Sequence, residues 1–184
     1  MFIAVSYAVN MFAFWLSLPI LLVLAAYTVF KRFSSLAHLV LGVCLGLAPI
    51  AGVIAVSADI TLWSVYLAMG VMFWVAGFDL LYSLQDIEFD KAHNLHSIPS
   101  KFGAEKTMWI ARTFHFLAVA FWAGFVSEAD LGLWAHLAVL FAAGMLGYEH
   151  TIVNKDFTKI DKAFFTVNGY LGFVFLILII MEVI

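Results

Sequence analysis

The chain has 184 residues, of which 65% are hydrophobic and 11% charged, and its formal net charge is −3. Its mean hydropathy of +1.06 lies far outside the range of soluble domains and excludes that class of protein. Without a surplus of basic residues, the composition also predicts no nucleic-acid partner. We therefore expect an integral membrane protein whose residues 1–184 form a single membrane domain.

Six apolar segments follow one another along the chain. Their predicted bounds are 2–30, 36–57, 62–86, 107–126, 132–152 and 163–183. Most have about the 20 residues that a bilayer core requires, and the first is long enough for a short helix and a full one, with the break near Asn10 and Phe14. A barrel would instead show short alternating segments. The sequence predicts an all-α, polytopic transmembrane helix bundle of about six to seven helices.

The second apolar segment contains small residues and the single cysteine of the chain. Gly42, Gly46 and Gly52 are typical of helices that pack closely in lipid, where burial alone supplies little driving force. Cys44 excludes a disulfide framework, and we expect a buried, inert thiol there.

The basic residues cluster at alternate connections between the predicted spans. All nine lie in or beside the connections that follow residues 30, 86 and 152: Lys31, Arg32, Lys91, Lys101, Lys106, Arg112, Lys155, Lys159 and Lys162. The connections around residues 57–59 and 127–130 carry none. Because basic loops stay in the cytoplasm, we expect the three basic connections on the cytoplasmic side of the inner membrane and the C-terminus on its outer side. The N-terminus lacks the basic region and cleavage site of a signal peptide, so no cleavable leader is expected.

Four polar side chains recur where the third apolar segment ends. On a continuous helix Asp79, Tyr82, Asp86 and Asp90 would share one face, with Asp79 about 10 Å deeper than Asp86, while Glu88 would point elsewhere. Carboxylates four residues apart, about 5–6 Å at Cβ, can share one hard cation. Magnesium takes one or two carboxylates together with substrate phosphate oxygens. The spacing alone leaves two alternatives open, a metal or metal-diphosphate site and a solvated helix end.

The histidines give less support to a metal site than the aspartates do. His93 and His96 are three residues apart with no thiolate nearby, which does not favour zinc. Three other histidines are interpreted as packing or interfacial residues: His38, His115 and His136. Glu149 and His150, at the inner end of the 132–152 segment, are candidates for lining a site.

The long polar loop supplies a family resemblance. Residues 82–103 resemble the second aspartate-rich motif and following loop of the UbiA family of intramembrane aromatic prenyltransferases. Residues 26–33 resemble its Tyr-x-x-x-Lys-Arg turn, and residues 148–150 and 163–169 resemble its later helices. The loop is the most specific part and is most similar to the 4-hydroxybenzoate polyprenyltransferase branch. Asn94 stands where the family usually has glycine, and asparagine also tolerates the positive φ of a turn.

The resemblance implies a UbiA-like fold and a magnesium-dependent reaction. A polyprenyl group would pass from polyprenyl diphosphate to an aromatic ring, commonly 4-hydroxybenzoate, in the biosynthesis of ubiquinone or menaquinone. Asp86 and Asp90 would hold Mg²⁺ on the diphosphate. The cations expected at the same diphosphate are Lys31, Arg32 and Lys91. Tyr82 and Asp79 are candidates for steering the acceptor or the allylic cation.

One family motif has no counterpart in the sequence. The first aspartate-rich motif, Asn-Asp-x-x-Asp-x-x-x-Asp, is not found before residue 79. By the resemblance, we expect the chain to begin within the third of about nine helices, to form the C-terminal two-thirds of such an enzyme, and to be inactive alone. Two alternatives stay open: a transporter or channel in which Asp79 is an intramembrane ion site, and a noncatalytic remnant that binds lipid or a partner helix.

Overall fold

The computed structural model describes residues 1–155 and 160–184, and these residues form helices and no strand. The helices are α1 (Phe2–Val9), α2 (Met11–Phe30), α3 (Ala37–Ser57), α4 (Leu62–Tyr82), α5 (Ile87–Ala92), α6 (Ile98–Glu128), α7 (Leu133–Lys155) and α8 (Asn168–Val183). A 3₁₀ turn, Ser83–Asp86, joins α4 to α5, and a π-helical turn, Lys162–Val167, leads into α8. Within the described residues, five helical stretches are long and apolar enough to cross a membrane. The predicted all-α membrane bundle is confirmed.

The first apolar segment is broken at Asn10, as predicted. Asn10 has extended backbone angles, and its side-chain oxygen accepts a hydrogen bond of 2.8 Å from the Ala13 amide, which caps α2. Its side-chain nitrogen donates to the Ile54 carbonyl at 2.7 Å. The Asn10 side chain thus bonds both to an amide in the first turn of α2 and to a carbonyl near the end of α3. These two hydrogen bonds tie the junction of α1 and α2 to α3.

Helix α4 lies at the centre of the bundle, with α3 on one side and α6 on the other. The contact with α3 is close: a Cβ placed on Gly46 would lie 2.8 Å from the Ala68 carbonyl oxygen. Cys44 is two residues from Gly46, about 200° around the helix, so it faces away from α4. Its thiol is free but only half-buried, so the expectation of a buried thiol is wrong.

Helix α6 begins nine residues earlier than the predicted span. Ser97 and Ser100 form a capping box, with each side chain paired to the other's backbone amide at 3.2 and 3.0 Å. Gly103, at φ 80°, then bends the chain before the apolar part of the helix. The span prediction missed the start of α6 because it relied on a run of apolar residues. The start of this helix is instead marked by the capping box, whose residues are polar.

At one end of the bundle, the turn after α2 meets the loop before α6. The His96 amide donates a hydrogen bond of 2.8 Å to the Lys31 carbonyl. The first two basic connections are therefore adjacent in space, although about 60 residues separate them in sequence.

At the opposite end, Glu182 of α8 caps α7. Its carboxylate accepts hydrogen bonds from the amides of Gly132, Trp134 and Ala135 at 2.7, 2.8 and 3.3 Å. We expect Glu182→Ala to lower the midpoint of thermal unfolding in detergent by about 2–4 °C, because the first turn of α7 loses its acceptors. Glu128→Ala, which removes an exposed carboxylate from the same end, is the control and should leave the midpoint unchanged. Equal midpoints for the two variants would contradict the capping role.

Candidate diphosphate and metal site

Three charged side chains from separate elements converge at the end of the bundle where the turn after α2 meets the loop before α6. The Lys31 Nζ atom lies 3.6 Å from Asp90 Oδ2 and 3.8 Å from Asp86 Oδ2. The Asp90 side chain is only 2% exposed, whereas that of Asp86 is 46% exposed. Asp90 Oδ2 has no hydrogen-bond partner among the described residues. A buried carboxylate oxygen that has a cation nearby but no hydrogen bond favours a bound cation.

The backbone explains why these side chains meet. After α5, the chain turns at Asn94, whose φ is 53°, and the Leu95 amide returns to the Asp90 carbonyl at 2.8 Å. The following residue, His96, is the one that bonds to the Lys31 carbonyl. The positive φ expected at Asn94 is confirmed, and it is this turn that lays the loop across Lys31.

One helical stretch, Leu62–Ala92, carries Asp79, Tyr82, Asp86 and Asp90 as predicted, but a 3₁₀ turn interrupts its α-helical spacing. Helix α4 ends at Tyr82, and the tighter 3₁₀ turn rotates Asp86 and α5 away from the face that a straight helix would present. Asp86 and Asp90 still come together, because both reach Lys31. The other two residues have different partners.

Asp79 forms a pair with His38 of α3. Asp79 Oδ2 lies 2.7 Å from His38 Nδ1, and the His38 side chain is 2% exposed. With Tyr27, Lys31 and Ala37, these two side chains line a cavity of about 130 Å³. His38 was interpreted as a packing or interfacial residue, and the structure instead makes it the partner of the deep carboxylate.

Tyr82 packs against an aromatic side chain from the turn before α8. The ring centroids of Tyr82 and Phe164 are 4.4 Å apart, and Phe78 meets Phe164 edge to face at 5.3 Å. Tyr82 is half-buried by this contact. Its ring therefore lines an aromatic region next to the acidic turn.

The two remaining predicted cations differ in position. Lys91 is exposed and pairs with Glu88 at 3.3 Å, but it also lines an open cavity of about 680 Å³ together with Asp90. Arg32 is exposed, and it does not belong to the residues that line this cavity or the smaller one. Lysine 31 is thus the cation that the structure brings to both aspartates. Asp156 and Lys159, in the third basic connection, lie outside the described residues.

The carboxylates of Asp86 and Asp90 fit a Mg²⁺ ion whose remaining ligands come from a bound phosphate group and water. Among the described residues there is no group of three or more His, Cys, Asp or Glu side chains that could hold a metal by themselves. Two converging carboxylates beside a lysine are what a Mg²⁺ ion uses when phosphate oxygens and water complete its shell. His93 does not join them, since its Nδ1 bonds to the Phe89 carbonyl at 2.9 Å and its ring stacks on Phe89.

A second buried polar network lies between α4, α6, α7 and α8. Asn168 donates to Glu149 Oε1 at 3.0 Å and accepts from the Trp74 indole at 2.8 Å. His115 Nδ1 lies 3.0 Å from His150 Nε2 and 3.9 Å from Glu149 Oε2. Glu149 and His150, the predicted lining residues, belong to this network, which shares no residue with the cluster around Lys31. Sequence reasoning did not find Trp74 and Asn168, which are 94 residues apart.

Comparison with known proteins places this geometry in a family. The profile of the UbiA prenyltransferase family matches residues 1–178. A solved structure of a UbiA homologue from Aeropyrum pernix K1 superposes with a TM-score of 0.88 at 29% identity, covering 100% of this chain and 68% of that one.

Curated relatives agree with this match. The chain is 25% identical to a 4-hydroxybenzoate octaprenyltransferase of Aromatoleum aromaticum, covering 91% of this chain and 57% of the relative. It is 27% identical to a 4-hydroxybenzoate solanesyltransferase of Synechocystis sp., covering 89% and 56%. The chain thus spans a little over half the length of these curated relatives. The family match and the shared fold together show that this chain belongs to the UbiA prenyltransferase family.

Proposed function

We propose that the chain binds the diphosphate of a polyprenyl donor at Lys31, Asp86 and Asp90, as part of an enzyme that transfers the prenyl group to a hydroxylated aromatic acceptor. The observation that carries the proposal is the approach of Lys31 Nζ to both carboxylates, 3.6 and 3.8 Å away. The names of the relatives support 4-hydroxybenzoate as an acceptor. The product would be a precursor of a lipid quinone such as ubiquinone or menaquinone.

The chemistry follows from the charges at the site. Transfer breaks the bond between the allylic carbon and the diphosphate oxygen, so negative charge grows on the diphosphate as it leaves. Asp86 and Asp90 would hold Mg²⁺, and a bound Mg²⁺ would neutralise that charge. Lys31 binds phosphate oxygens directly as a point charge. The packed rings of Tyr82 and Phe164 lie next to the acidic turn, where aromatic side chains would attract the allylic cation and keep water from it.

The basic residues support an orientation for this site. Lys31, Arg32 and Lys91 lie in the two connections that meet at the site, and basic connections stay cytoplasmic. We infer a multi-pass protein of the inner membrane whose donor site opens to the cytoplasm, with the apolar prenyl chain in the bilayer.

Replacing Lys31 by methionine tests the proposal. The full chain, reconstituted in lipid nanodiscs, should bind geranylgeranyl diphosphate only when Mg²⁺ is present. We expect Lys31→Met to weaken this binding about 10–100-fold, since a hydrogen bond to a charged group contributes about 1.5–3 kcal/mol. Isothermal titration calorimetry with and without EDTA measures both effects.

A matched lysine elsewhere provides the control for this experiment. Lys106→Met removes an exposed lysine from α6 and should change the dissociation constant less than twofold. Equal affinities of the Lys31→Met variant and the unmodified chain would overturn the assignment of Lys31. Transfer of the geranylgeranyl group to 4-hydroxybenzoate, followed by mass spectrometry of the product, tests the reaction itself.

A further inference from the structure

We propose that His38, held by Asp79, is the base that takes the hydroxyl proton of the aromatic acceptor. The inference rests on the proposed function and adds to it a residue and a chemical requirement: the acceptor must carry an acidic hydroxyl group. Neither residue contacts the two aspartates of the diphosphate site, and each comes from a different helix.

The pairing with Asp79 fixes the tautomer of His38. When the carboxylate of Asp79 is ionised it can only accept, and in that state the contact of 2.7 Å is a hydrogen bond that His38 Nδ1 donates. The other ring nitrogen, Nε2, is then left with a lone pair. A carboxylate that orients an imidazole in this way also stabilises the imidazolium that forms when Nε2 takes up a proton.

The Nε2 atom of His38 can accept a hydrogen bond, but no described residue donates one to it. It is buried and has no hydrogen-bond partner among the described residues. A buried polar atom without a hydrogen bond costs free energy, and a catalytic role is one reason for a protein to keep such an atom. The group that would satisfy Nε2 is a hydrogen-bond donor, such as a hydroxyl.

The cavity beside His38 has the position for such a ligand. Its volume is about 130 Å³, close to the roughly 150 Å³ of a cavity that holds benzene. Lys31 lines this cavity and also lies 3.6 Å from Asp90. A ligand in the cavity would therefore contact both Lys31 of the diphosphate site and His38.

The proton transfers balance over the reaction. The acceptor O–H bond breaks as an N–H bond forms at His38 Nε2, and the resulting phenolate directs electron density to the ring carbon beside it. That carbon bonds to the allylic carbon, whose bond to oxygen breaks and leaves its electron pair on the diphosphate. The ring carbon then loses its proton to the diphosphate, and the imidazolium returns its proton to the phenolate oxygen. His38 ends neutral, and the products are the prenylated phenol and hydrogen diphosphate.

Binding of 4-hydroxybenzoate and of benzoate by the nanodisc-reconstituted chain tests the proposal. The unmodified chain should bind 4-hydroxybenzoate at least tenfold more tightly than benzoate, and the bound ligand should show the ultraviolet absorbance of a phenolate. His38→Leu should abolish this preference and leave benzoate affinity within twofold. His38→Gln can still accept a hydrogen bond, so it should keep part of the preference but lose the phenolate absorbance. Asp79→Asn should lose the phenolate absorbance as well.

Controls separate this proposal from the proposed function. His136→Gln, at an exposed histidine near the other end of the bundle, should leave both measurements unchanged. Binding of geranylgeranyl diphosphate is measured in every sample and also reports that each variant is folded. Diphosphate binding without any preference for the hydroxyl would overturn the role of His38 and leave the donor site standing. A preference that depends on His38 in a chain that does not bind diphosphate would support His38 and overturn the donor site.

Discussion

Replacing Asp90 by asparagine is expected to abolish magnesium-dependent binding of the prenyl diphosphate. Asparagine has the same shape but no charge. Asp90 is the buried carboxylate whose Oδ2 lies 3.6 Å from Lys31 Nζ and has no hydrogen-bond partner among the described residues. Loss of a group that merely supports a metal ligand costs roughly 10–100-fold in affinity, so loss of a ligand itself should cost at least about 100-fold. The measurement is a Mg²⁺ titration of geranylgeranyl diphosphate binding in nanodiscs.

Two neighbouring carboxylates sharpen this test. Asp86→Asn should weaken Mg²⁺-dependent binding less than Asp90→Asn, because Asp86 is 46% exposed and water can replace part of its contribution. Glu88→Gln removes an exposed carboxylate that pairs with Lys91, and it should leave the Mg²⁺ dependence intact. Retention of full Mg²⁺-dependent binding by the Asp90→Asn variant would eliminate the carboxylate pair as the metal site.

The parts of the fold that could be predicted are those with a local cause. The break at Asn10 follows from the capping amide of a single residue, and the turn at Asn94 follows from the tolerance of asparagine for positive φ. The meeting of Lys31 with Asp86 and Asp90 could also be predicted, since basic connections share one side of a membrane. In each case a few neighbouring residues, or one general rule, determine the outcome.

The contacts that could not be predicted depend on how helices rotate against one another. His38 and Asp79 are 41 residues apart, and their pairing depends on the register between α3 and α4. The 3₁₀ turn after Tyr82 likewise escaped prediction, because the apolar run and the helical spacing continue through it. Asn168 of α8 bonds to both Glu149 of α7 and Trp74 of α4, and these contacts depend on how the three helices pack together.

One sequence signal could nevertheless have found His38. It stands four residues before Gly42 and eight before Gly46, so the three lie on one face of α3 within about 80°. Because the two glycines mark the face that packs against α4, a histidine on the same face must meet α4 as well. This stripe of His38, Gly42 and Gly46 therefore predicts a partner on α4 for His38, and Asp79 is the one carboxylate of that helix.

This stripe makes Gly42 a position whose substitution should disturb the packing of α3 on α4. A Cβ at Gly42 would overlap the Met72 carbonyl oxygen and lie 3.1 Å from Ala76 Cβ. The carbonyl belongs to the backbone of α4 and cannot turn aside, so the two helices must separate. Overpacking of this kind costs about 1–3 kcal/mol, and most of that range exceeds the roughly 1 kcal/mol that alanine gains over glycine in a helix. We expect Gly42→Ala to lower the free energy of unfolding in detergent, and Gly42→Leu to lower it further.

The same helix contains its own control, because a Cβ at Gly52 would meet nothing within 4 Å. Gly52→Ala should raise the free energy of unfolding by about 0.5–1 kcal/mol, since only the helix preference changes there. The functional consequence separates the two glycines further. His38 lies one turn before Gly42, so separation of α3 from α4 should lengthen the contact of His38 with Asp79 and abolish the preference for 4-hydroxybenzoate over benzoate. A Gly42→Ala variant that matched Gly52→Ala in both stability and hydroxyl preference would show that α3 and α4 are not held at the distance on which the His38–Asp79 pair depends.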